Sequence, residues 1–354
     1  MRVRLLALGI GRAGMTGSQR YLDCLESGLK QLGETRLHVD SLRELGRPRP
    51  WRRTVERFVL GSWALTGFPT ASRFAGKIHP DVVHLVESVI VPRAGRCRLV
   101  VTVHDMCALL RPELVERRVA VLKRLSRRRL LEPDWIIVPS ETTFRDLVSL
   151  GADRSRITVI RHGVSPALAE GPTPKAIEKV RAIAGDQSFV ITVGQLSRKR
   201  GADVLLKAWA RVADQLQARL LWVGRAAKDE QRLIEALAGE RGARSIVRLD
   251  AVDDELLAAL YSQASVVVSA SRWEGFGFPV AEALVLGKPV IASDIPAHCE
   301  FGSPGVHTFP SENPLELAEL IMAALNTPLK AARQRFPSWT EVARAHAEVY
   351  AGVC

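Results

Sequence analysis

Two glutamates, two glycines and a proline lie close together in the segment EGFGFPVAE, which runs from Glu274 to Glu282. Gly275 and Gly277 allow the backbone to approach a ligand closely, and Pro279 is typical of the first turn of a helix. A glycine loop that leads into a helix N-terminus binds anions such as phosphate, while carboxylates beside it accept hydrogen bonds from sugar hydroxyls. The segment therefore predicts a site for a ligand that carries both phosphate and sugar.

Each glutamate also has a simpler interpretation when it is considered alone. Glu282 would stabilise the helix dipole, and Glu274 would be a solvated loop residue. The combination with two glycines and a proline favours the binding site.

A second motif, VGQLSRKRG at 193–201, contains three consecutive cations directly after a predicted strand. Gly194 permits a tight turn, and Arg198, Lys199 and Arg200 would surround a diphosphate. A run of charges is usually a solvated face, but the strand before this run favours an anion site.

Nine short apolar runs predict strands that are buried on both faces, as in parallel sheets. They alternate with helical patterns such as 203–216, and the series occurs twice, which is typical of two doubly wound α/β domains. Ligands bind beyond the carboxyl ends of such strands, so we expect a cleft between two facing sheets. A stretch rich in Pro and Gly at 165–180 predicts the linker. The predicted strands are 3–10, 81–86, 98–104, 134–139, 189–194, 219–224, 245–250, 265–270 and 289–293.

The segment EGFGFPVAEA with the following GKPVIASDIP resembles the signature of the retaining, nucleotide-sugar-dependent glycosyltransferases of family four. The resemblance implies the GT-B fold, in which two Rossmann-like domains, each a doubly wound parallel sheet, face each other across an interdomain cleft. It places the acceptor-binding domain at 1–168, joined by a terminal helix at 338–354, and the nucleotide-sugar domain at 169–337.

The resemblance also assigns roles to residues of the two motifs. It implies that Glu274 contacts the donor sugar and that Glu282 holds the ribose hydroxyls. Arg200 aligns best with the diphosphate-binding lysine of the family, with Lys199 as the alternative, whereas Gln195 replaces an arginine or threonine of the family pattern. The remaining donor-binding residues are expected to be Gly17, Gly194, Arg198, Gly275, Phe276, Gly277 and Phe278.

Three segments of the first half extend the resemblance: 14–29, 100–106, and VIRHGVSPAL at 159–168, which is similar to the family's Asn-Gly-Val-Asp segment. GMTGSQRYLDCLESGL at 14–29 is similar to the family's glycine loop, with Gly17 at the opening of a helix. VVTVHDM at 100–106 is similar to the segment whose histidine lies beside the donor sugar, here His104. A lone histidine at a strand end is more often structural, and only the expected cleft favours the catalytic role. His162 and Ser165 replace the family's Asn and Asp, so no catalytic role is predicted for them.

Gly9, Gly11 and Gly14 come close to a dinucleotide-binding fingerprint, but no acidic residue follows at the spacing that a dehydrogenase requires. No metal or other cofactor is expected, because Asp253 and Asp254 open a helix instead of forming a ligand pair after a strand.

The alternative function is a nucleotide-sugar-binding relative without transferase activity, or one that couples or isomerises sugars. Nucleic acid is not an expected partner, since the basic residues lack a reader motif.

The net charge of +12 lies in one part of the chain. The first 170 residues contain 29 Lys and Arg against 17 Asp and Glu, and 43–129 alone contains 19 against 7. Two interpretations stay open for this basic segment: ERRVAVLKRLSRRRLL at 116–131 is an amphipathic helix with a solvated basic face, or the segment binds an anionic membrane beside a lipid-linked acceptor. Five aromatic residues lie near its start, at Trp51, Phe58, Trp63, Phe68 and Phe74.

The composition predicts a protein of the cytoplasm, with peripheral association with the inner face of the membrane as the open question. The five cysteines form no CxxC pair, which is evidence against both a disulfide framework and a zinc site. No apolar run reaches the roughly 18 residues that a membrane-spanning helix needs.

Overall fold

The computed structural model describes residues 1–7, 17–33, 38–43, 66, 80–86, 91–224, 230–302 and 304–354. These residues form two compact units, one of 1–163 with 337–354 and the other of 164–336. Among the described residues, no helix is both long enough and apolar enough to cross a bilayer.

Each unit contains a six-stranded parallel sheet, with strand order β2-β1-β3-β4-β5-β6 in the first and β12-β11-β10-β7-β8-β9 in the second. The central strands are buried apolar runs, as parallel sheets covered on both faces require. In the first unit the strands are β1 Arg2–Ala7, β2 His38–Arg43, β3 Val82–Leu85, β4 Arg98–Thr102, β5 Trp135–Val138 and β6 Ile157–Val159. In the second they are β7 Phe189–Val193, β8 Arg219–Val223, β9 Ile246–Leu249, β10 Val266–Ser269, β11 Val290–Ser293 and β12 Val306–Phe309.

The helices connect the strands, and the last of them returns to the first unit. In chain order they are α1 Gly17–Gln31, α2 Cys107–Leu110, α3 Arg117–Leu125, α4 Arg127–Leu130, α5 Glu141–Ser149, α6 Pro166–Glu170, α7 Pro174–Ala184, α8 Ala202–Gln215, α9 Glu230–Arg244, α10 Asp254–Gln263, α11 Phe278–Val285, α12 Pro296–Cys299, α13 Pro314–Asn326 and α14 Trp339–Val353. Short 3₁₀ helices lie at Pro112–Leu114 and Arg154–Arg156. A capping box between Ser338 and Glu341 starts α14.

All nine predicted strands are present, and the described chain adds β2, β6 and β12. These three are edge strands of their sheets. An edge strand has a neighbour on one side only, so it is often short or polar. The sequences HVDSLR, ITV and VHTF therefore lack the continuous apolar run on which the prediction depended.

The predicted linker at 165–180 is wrong, because this stretch forms α6 and most of α7. Pro166 and Pro174 each lie in the first turn of a helix, and Gly171 (φ 92°) separates the two helices. Val164 and Leu168 belong to the core of the second unit. The division between the units therefore falls at 163/164, a few residues before the boundary predicted at 168.

The predicted continuous helix at 116–131 is two helices, α3 and α4, separated at Ser126. The Ser126 hydroxyl donates to the carbonyl of Lys123 (3.3 Å). Serine side chains that bond to the backbone in this way compete with regular helical hydrogen bonds. No residue of α3 is buried.

Candidate functional site

Two loops that follow adjacent strands form the candidate site of the second unit. One follows β7 and leads to α8; the other follows β10 and leads to α11, and β7 pairs directly with β10. The Arg272 N–H donates to the carbonyl of Lys199 (2.8 Å). Gly201 has a φ of 65°, and a Cβ there would overlap the carbonyl of Ala270. Glycine at 201 thus permits the close approach between the loop after β7, called the basic loop (194–201), and the loop after β10, called the EGFGF loop (270–277).

Glu274 and Arg200 form an ion pair across these two loops. The Glu274 carboxylate is buried, and its Oε1 also accepts a hydrogen bond from the Ser271 hydroxyl (2.7 Å). A buried charge is tolerated when it is paired and hydrogen-bonded. Two residues that the sequence assigns to one site are therefore brought into direct contact.

The remaining residues of the basic loop differ in their surroundings. Gly194 (φ 139°) donates its N–H to Val223 (2.8 Å) and accepts from the Trp222 indole (3.0 Å), which fixes the start of the loop. The Arg198 side chain is exposed and that of Lys199 is half-buried. The loop thus has a rigid base and two further cations.

Helix α11 begins at the glycine that the sequence predicts. Gly277 (φ 90°) is the N-cap residue, and Pro279 lies in the first turn. The Phe276 ring packs against Phe278 (5.3 Å between centroids) and Phe301 (5.8 Å). The aromatic ring of Phe276 therefore belongs to the core.

His298 on α12 lies behind this turn, and no sequence motif points to it. A Cβ on Gly277 would lie 3.2 Å from His298 Cδ2. His298 Nε2 is 3.3 Å from the Ser269 hydroxyl, and its Nδ1 is 3.0 Å from the Ser293 carbonyl. Burial lowers the pKa of His298 to about 4. The hydrogen bond with Ser293 raises this pKa, and the charge of Arg200 lowers it by a smaller amount. The ring is neutral at pH 7 and supports the backbone of the turn.

Glu282 lies one turn into α11, and its side chain is buried. Its Oε2 accepts a hydrogen bond from the hydroxyl of Tyr261 on α10 (2.8 Å). A short, buried bond of this kind fixes the orientation of the carboxylate. Tyr261 is a second residue that the sequence analysis did not select.

Arg272 is the third residue that the sequence analysis missed. Its guanidinium bonds both carboxylate oxygens of Asp203 on α8 and both of Glu312 in the turn after β12. These hydrogen bonds raise the pKa of Arg272. Burial alone would raise the pKa of Asp203, but the hydrogen bond and charge of Arg272 outweigh it and lower that pKa. Arg272 and Asp203 are therefore ionised at neutral pH.

Two predicted residues of the first unit follow strands of the same sheet. Gly17 opens α1, which follows β1, and His104 follows β4 of the same sheet. Tyr21, one turn after Gly17, packs edge-on against His104 (4.9 Å between centroids). His104 Nε2 lies 2.8 Å from the carbonyl of Val86. His162 is buried between Tyr21 and Trp339.

Some predicted features lie outside the described residues. These are the glycines at 9, 11 and 14 and the five aromatic residues of the basic segment. Asp253 caps α10 as predicted, since its carboxylate accepts from the Leu256 N–H (2.7 Å). The part of the chain that the structure describes contains no group of three or more His, Cys, Asp or Glu side chains placed to hold a metal ion.

Both units match family models. Residues 174–337 match "Glycosyl transferases group 1", and residues 16–168 match "Glycosyltransferase Family 4". D-inositol 3-phosphate glycosyltransferase of Xylanimonas cellulosilytica is 28% identical over 62% of this chain and 57% of its own length. The chain thus spans little more than half of that relative.

Solved structures resemble the chain over nearly its whole length. Sucrose-phosphate synthase of Thermosynechococcus elongatus has a TM-score of 0.69 at 20% identity, covering 99% of this chain and 94% of its own. Anabaena Alr3699/HepE, solved in complex with UDP and glucose, has a TM-score of 0.65 at 19% identity, covering 99% and 96%. Together with the two parallel sheets, this likeness confirms the predicted α/β, GT-B fold class.

Proposed function

Since the chain belongs to the glycosyltransferases described by these two family models, we propose that it transfers a sugar from a nucleoside-diphosphate sugar to an acceptor. The transferred sugar is a hexose, with mannose favoured, and the acceptor is a glycan or a lipid-linked glycan of polysaccharide biosynthesis. The anomeric configuration is retained. The observation that carries the proposal is the Glu274–Arg200 pair beside the N-terminus of α11, because a carboxylate and a cation at one glycine turn suit a ligand with both sugar hydroxyls and a diphosphate.

In the proposed reaction the second unit stabilises charge on the leaving diphosphate. Arg200 and Lys199 supply cations, and the start of α11 supplies the positive end of a helix dipole. Such preorganised electrostatics is usually the largest single contribution to catalysis. Glu274 orients the sugar, and the leaving phosphate accepts the proton of the acceptor hydroxyl, so no carboxylate acts as nucleophile.

Donor binding uses the remaining residues of the two loops. Glu282, held by Tyr261, binds the ribose hydroxyls, while Gly194, Arg198 and the 275–278 backbone contact the diphosphate. In the first unit, Gly17 starts a helix whose N-terminus suits an anion. The contact between His104 and the donor sugar stays a prediction.

The test is release of nucleoside diphosphate in the presence of acceptor, measured with GDP-mannose, UDP-glucose and other nucleotide sugars. The substitution Glu274→Gln should lower kcat about a hundredfold, because the sugar loses its orientation. Glu319→Gln on α13 is the matched control, since that carboxylate is exposed, and it should retain wild-type turnover. Full activity of Glu274→Gln with unchanged donor affinity would contradict the proposal.

A donor thermal-shift panel identifies the nucleotide. A donor present at 100 times its dissociation constant stabilises the protein by about 2.7 kcal/mol. The resemblance of EGFGFP to family members that use GDP-mannose favours this donor over UDP-glucose as the stabilising compound. A larger shift with UDP-glucose would overturn the mannose assignment and leave the transferase assignment in place.

We further propose that the reaction needs no metal. Turnover should be unchanged by a chelator, because Arg200, Lys199 and the helix N-terminus supply the positive charge that a divalent ion would otherwise provide. Loss of activity on chelation, restored by a divalent cation, would overturn this.

A binding protein without transferase activity is the second candidate. The observation that favours it is the replacement of family residues by Gln195, His162 and Ser165. Thermal stabilisation by a nucleotide sugar without release of nucleoside diphosphate, or with an isomerised or coupled sugar as product, would support it.

The third part of the proposal is that the basic segment 43–129 associates with the inner face of the membrane. Helix α3 exposes Val121 (49%) and Leu125 (46%) beside its arginines and lysine. A basic helix with exposed apolar residues binds anionic lipid through both features. In the second unit Leu315 is exposed to the same extent (49%), so it is a matched control for these two apolar residues.

Vesicle flotation tests the membrane proposal. Binding should increase with the fraction of anionic lipid and decrease in the variant Val121→Ser/Leu125→Ser, while Leu315→Ser should bind like the wild type. Binding that is independent of anionic lipid would contradict the membrane proposal.

A further inference from the structure

The side chain of Arg272 is only 6% exposed, and every N–H group of its guanidinium donates a hydrogen bond within the protein. Nε donates to Glu312 Oε1 (2.6 Å), and Nη2 donates to Glu312 Oε2 (2.7 Å) and to Asp203 Oδ2 (2.8 Å). Nη1 donates to Asp203 Oδ1 (2.5 Å) and to the Arg198 carbonyl (2.8 Å). All five N–H groups therefore have acceptors.

These acceptors lie on two stretches that are distant from Arg272 in sequence, 198–203 and the turn after β12. Asp203 is in the first turn of α8, Glu312 lies after β12, and the carbonyl of Arg198 belongs to the basic loop. The Arg272 backbone N–H adds a fourth attachment, to the carbonyl of Lys199 (2.8 Å). Arg272 thus fastens the EGFGF loop to the loop that carries Arg200.

Arg272 is also attached to the chain close to both groups that hold Glu274 in place. Ser271, which donates to the Glu274 carboxylate, is its neighbour in sequence. Arg200 forms the ion pair with Glu274. It directly follows Arg198 and Lys199, whose carbonyls accept hydrogen bonds from Arg272. A displacement of Arg272 would therefore move Glu274 and Arg200 relative to each other.

We propose that Arg272 is a positioning residue for the transfer reaction, which sets the spacing between the sugar-orienting carboxylate of Glu274 and the diphosphate-binding cation of Arg200. Its planar guanidinium group donates two parallel hydrogen bonds to Asp203 and two to Glu312. Lysine carries the same charge but cannot make two parallel pairs of hydrogen bonds. The inference rests on the proposed function, because the groups being positioned are those of the donor site.

The first experiment compares Arg272→Lys with the control Arg219→Lys. Arg219 begins β8, at the opposite end of the sheet from the site, and its side chain is also hydrogen-bonded, to Gln187 and Ile183. Arg272→Lys should lower kcat about 10- to 100-fold, the size expected for a misplacement of about 1 Å. Its affinity for the nucleoside diphosphate should stay within about threefold of wild type, because the α11 N-terminus is retained. Arg219→Lys should change neither quantity.

The second experiment separates positioning from a purely structural role. In a Glu274→Gln background, Arg272→Lys should cause no further loss of kcat, because the group that it positions has been removed. A structural residue would instead cause the same fold-loss in both backgrounds, together with a lower Tm. Equal fold-losses would overturn the inference.

Glu312→Gln keeps the inference testable if Arg272→Lys does not fold. Glu312 is 63% exposed, so its replacement leaves the core intact. The replacement weakens only the two hydrogen bonds that Arg272 donates to Glu312 and not those to Asp203. It should lower kcat less than Arg272→Lys and should likewise have no effect in the Glu274→Gln background. Wild-type kcat in Glu312→Gln would overturn the inference alone, whereas an inactive wild-type protein would overturn the proposed function.

Discussion

The two units have the same architecture, a six-stranded parallel sheet with helices, but each contains a different kind of buried polar cluster. In the second unit the cluster consists of ion pairs: Arg272 between two carboxylates, and Glu274 against Arg200. In the first unit, which also buries Arg4 and Glu26, the cluster around Tyr21 and His84 is neutral. An ionised cluster fits a site that must meet a charged ligand, and a neutral one fits a purely structural connection.

The neutral cluster of the first unit is a chain of hydrogen bonds that connects α14 to the sheet. The Tyr350 hydroxyl is bonded to His84 (2.7 Å), His84 to Thr102 (2.8 Å), Thr102 to Tyr21 (2.9 Å) and Tyr21 to His346 (2.7 Å). Burial lowers the pKa of His346 to about 4 and that of His84 well below its usual value. These residues therefore dock the terminal helix without carrying charge at pH 7.

The largest effect is expected from removing a cation of the second unit. Arg200→Ala should lower kcat about 10²- to 10³-fold, because the leaving diphosphate loses a fixed positive charge. The measurement is nucleoside diphosphate release at saturating donor. Arg211→Ala, an exposed arginine on α8, is the control and should behave like the wild type. Equal turnover in both variants would show that the ionised cluster is structural.

Acid should affect the first unit more than the second. Three histidines of the first unit have pKa values that burial lowers, His84, His162 and His346, whereas His298 is the only such histidine among the described residues of the second. Each is neutral when folded but binds a proton when unfolded below about pH 6.5. Each therefore removes about 1.4 kcal/mol of stability per pH unit as the pH falls from 6.5 towards its folded pKa, about 4 for His346.

Hydrogen exchange of the two units between pH 7 and pH 5, corrected for the intrinsic rate, measures this difference. Protection of β3, β4 and α14 should decrease faster than that of β7, β10 and β11. His346→Gln should reduce the slope in the first unit by about one proton. Parallel loss of protection in both units would mean that the buried histidines do not decide the acid stability.

The smallest effect is expected from two tyrosine hydroxyls, one in each unit. Tyr261→Phe removes the hydrogen bond to Glu282, and Tyr350→Phe removes the one to His84. Both should lower Tm, but only Tyr261→Phe should weaken nucleoside diphosphate binding, by about tenfold. Isothermal titration with the nucleoside diphosphate checks this. An equal loss of affinity in both variants would indicate a general loosening of the protein.

The sequence predicts those parts of the molecule that depend on neighbouring residues. The apolar central strands, the turn at Gly277 and the cap at Asp253 are all encoded in short segments. Arg272 could not be selected in this way, because its partners Asp203 and Glu312 are 69 and 40 residues distant. The same holds for the bond between Tyr21 and His346, which spans 325 residues. Only the fold brings such groups together.

Hydrogen exchange of the wild-type protein, with and without a saturating donor, tests whether the segments 194–201 and 271–282 bind the nucleotide sugar. Exchange in both loops should slow when the donor binds, and free nucleoside diphosphate should reproduce most of that protection. Turnover without protection of either loop, or protection confined to the first unit, would contradict binding at these segments.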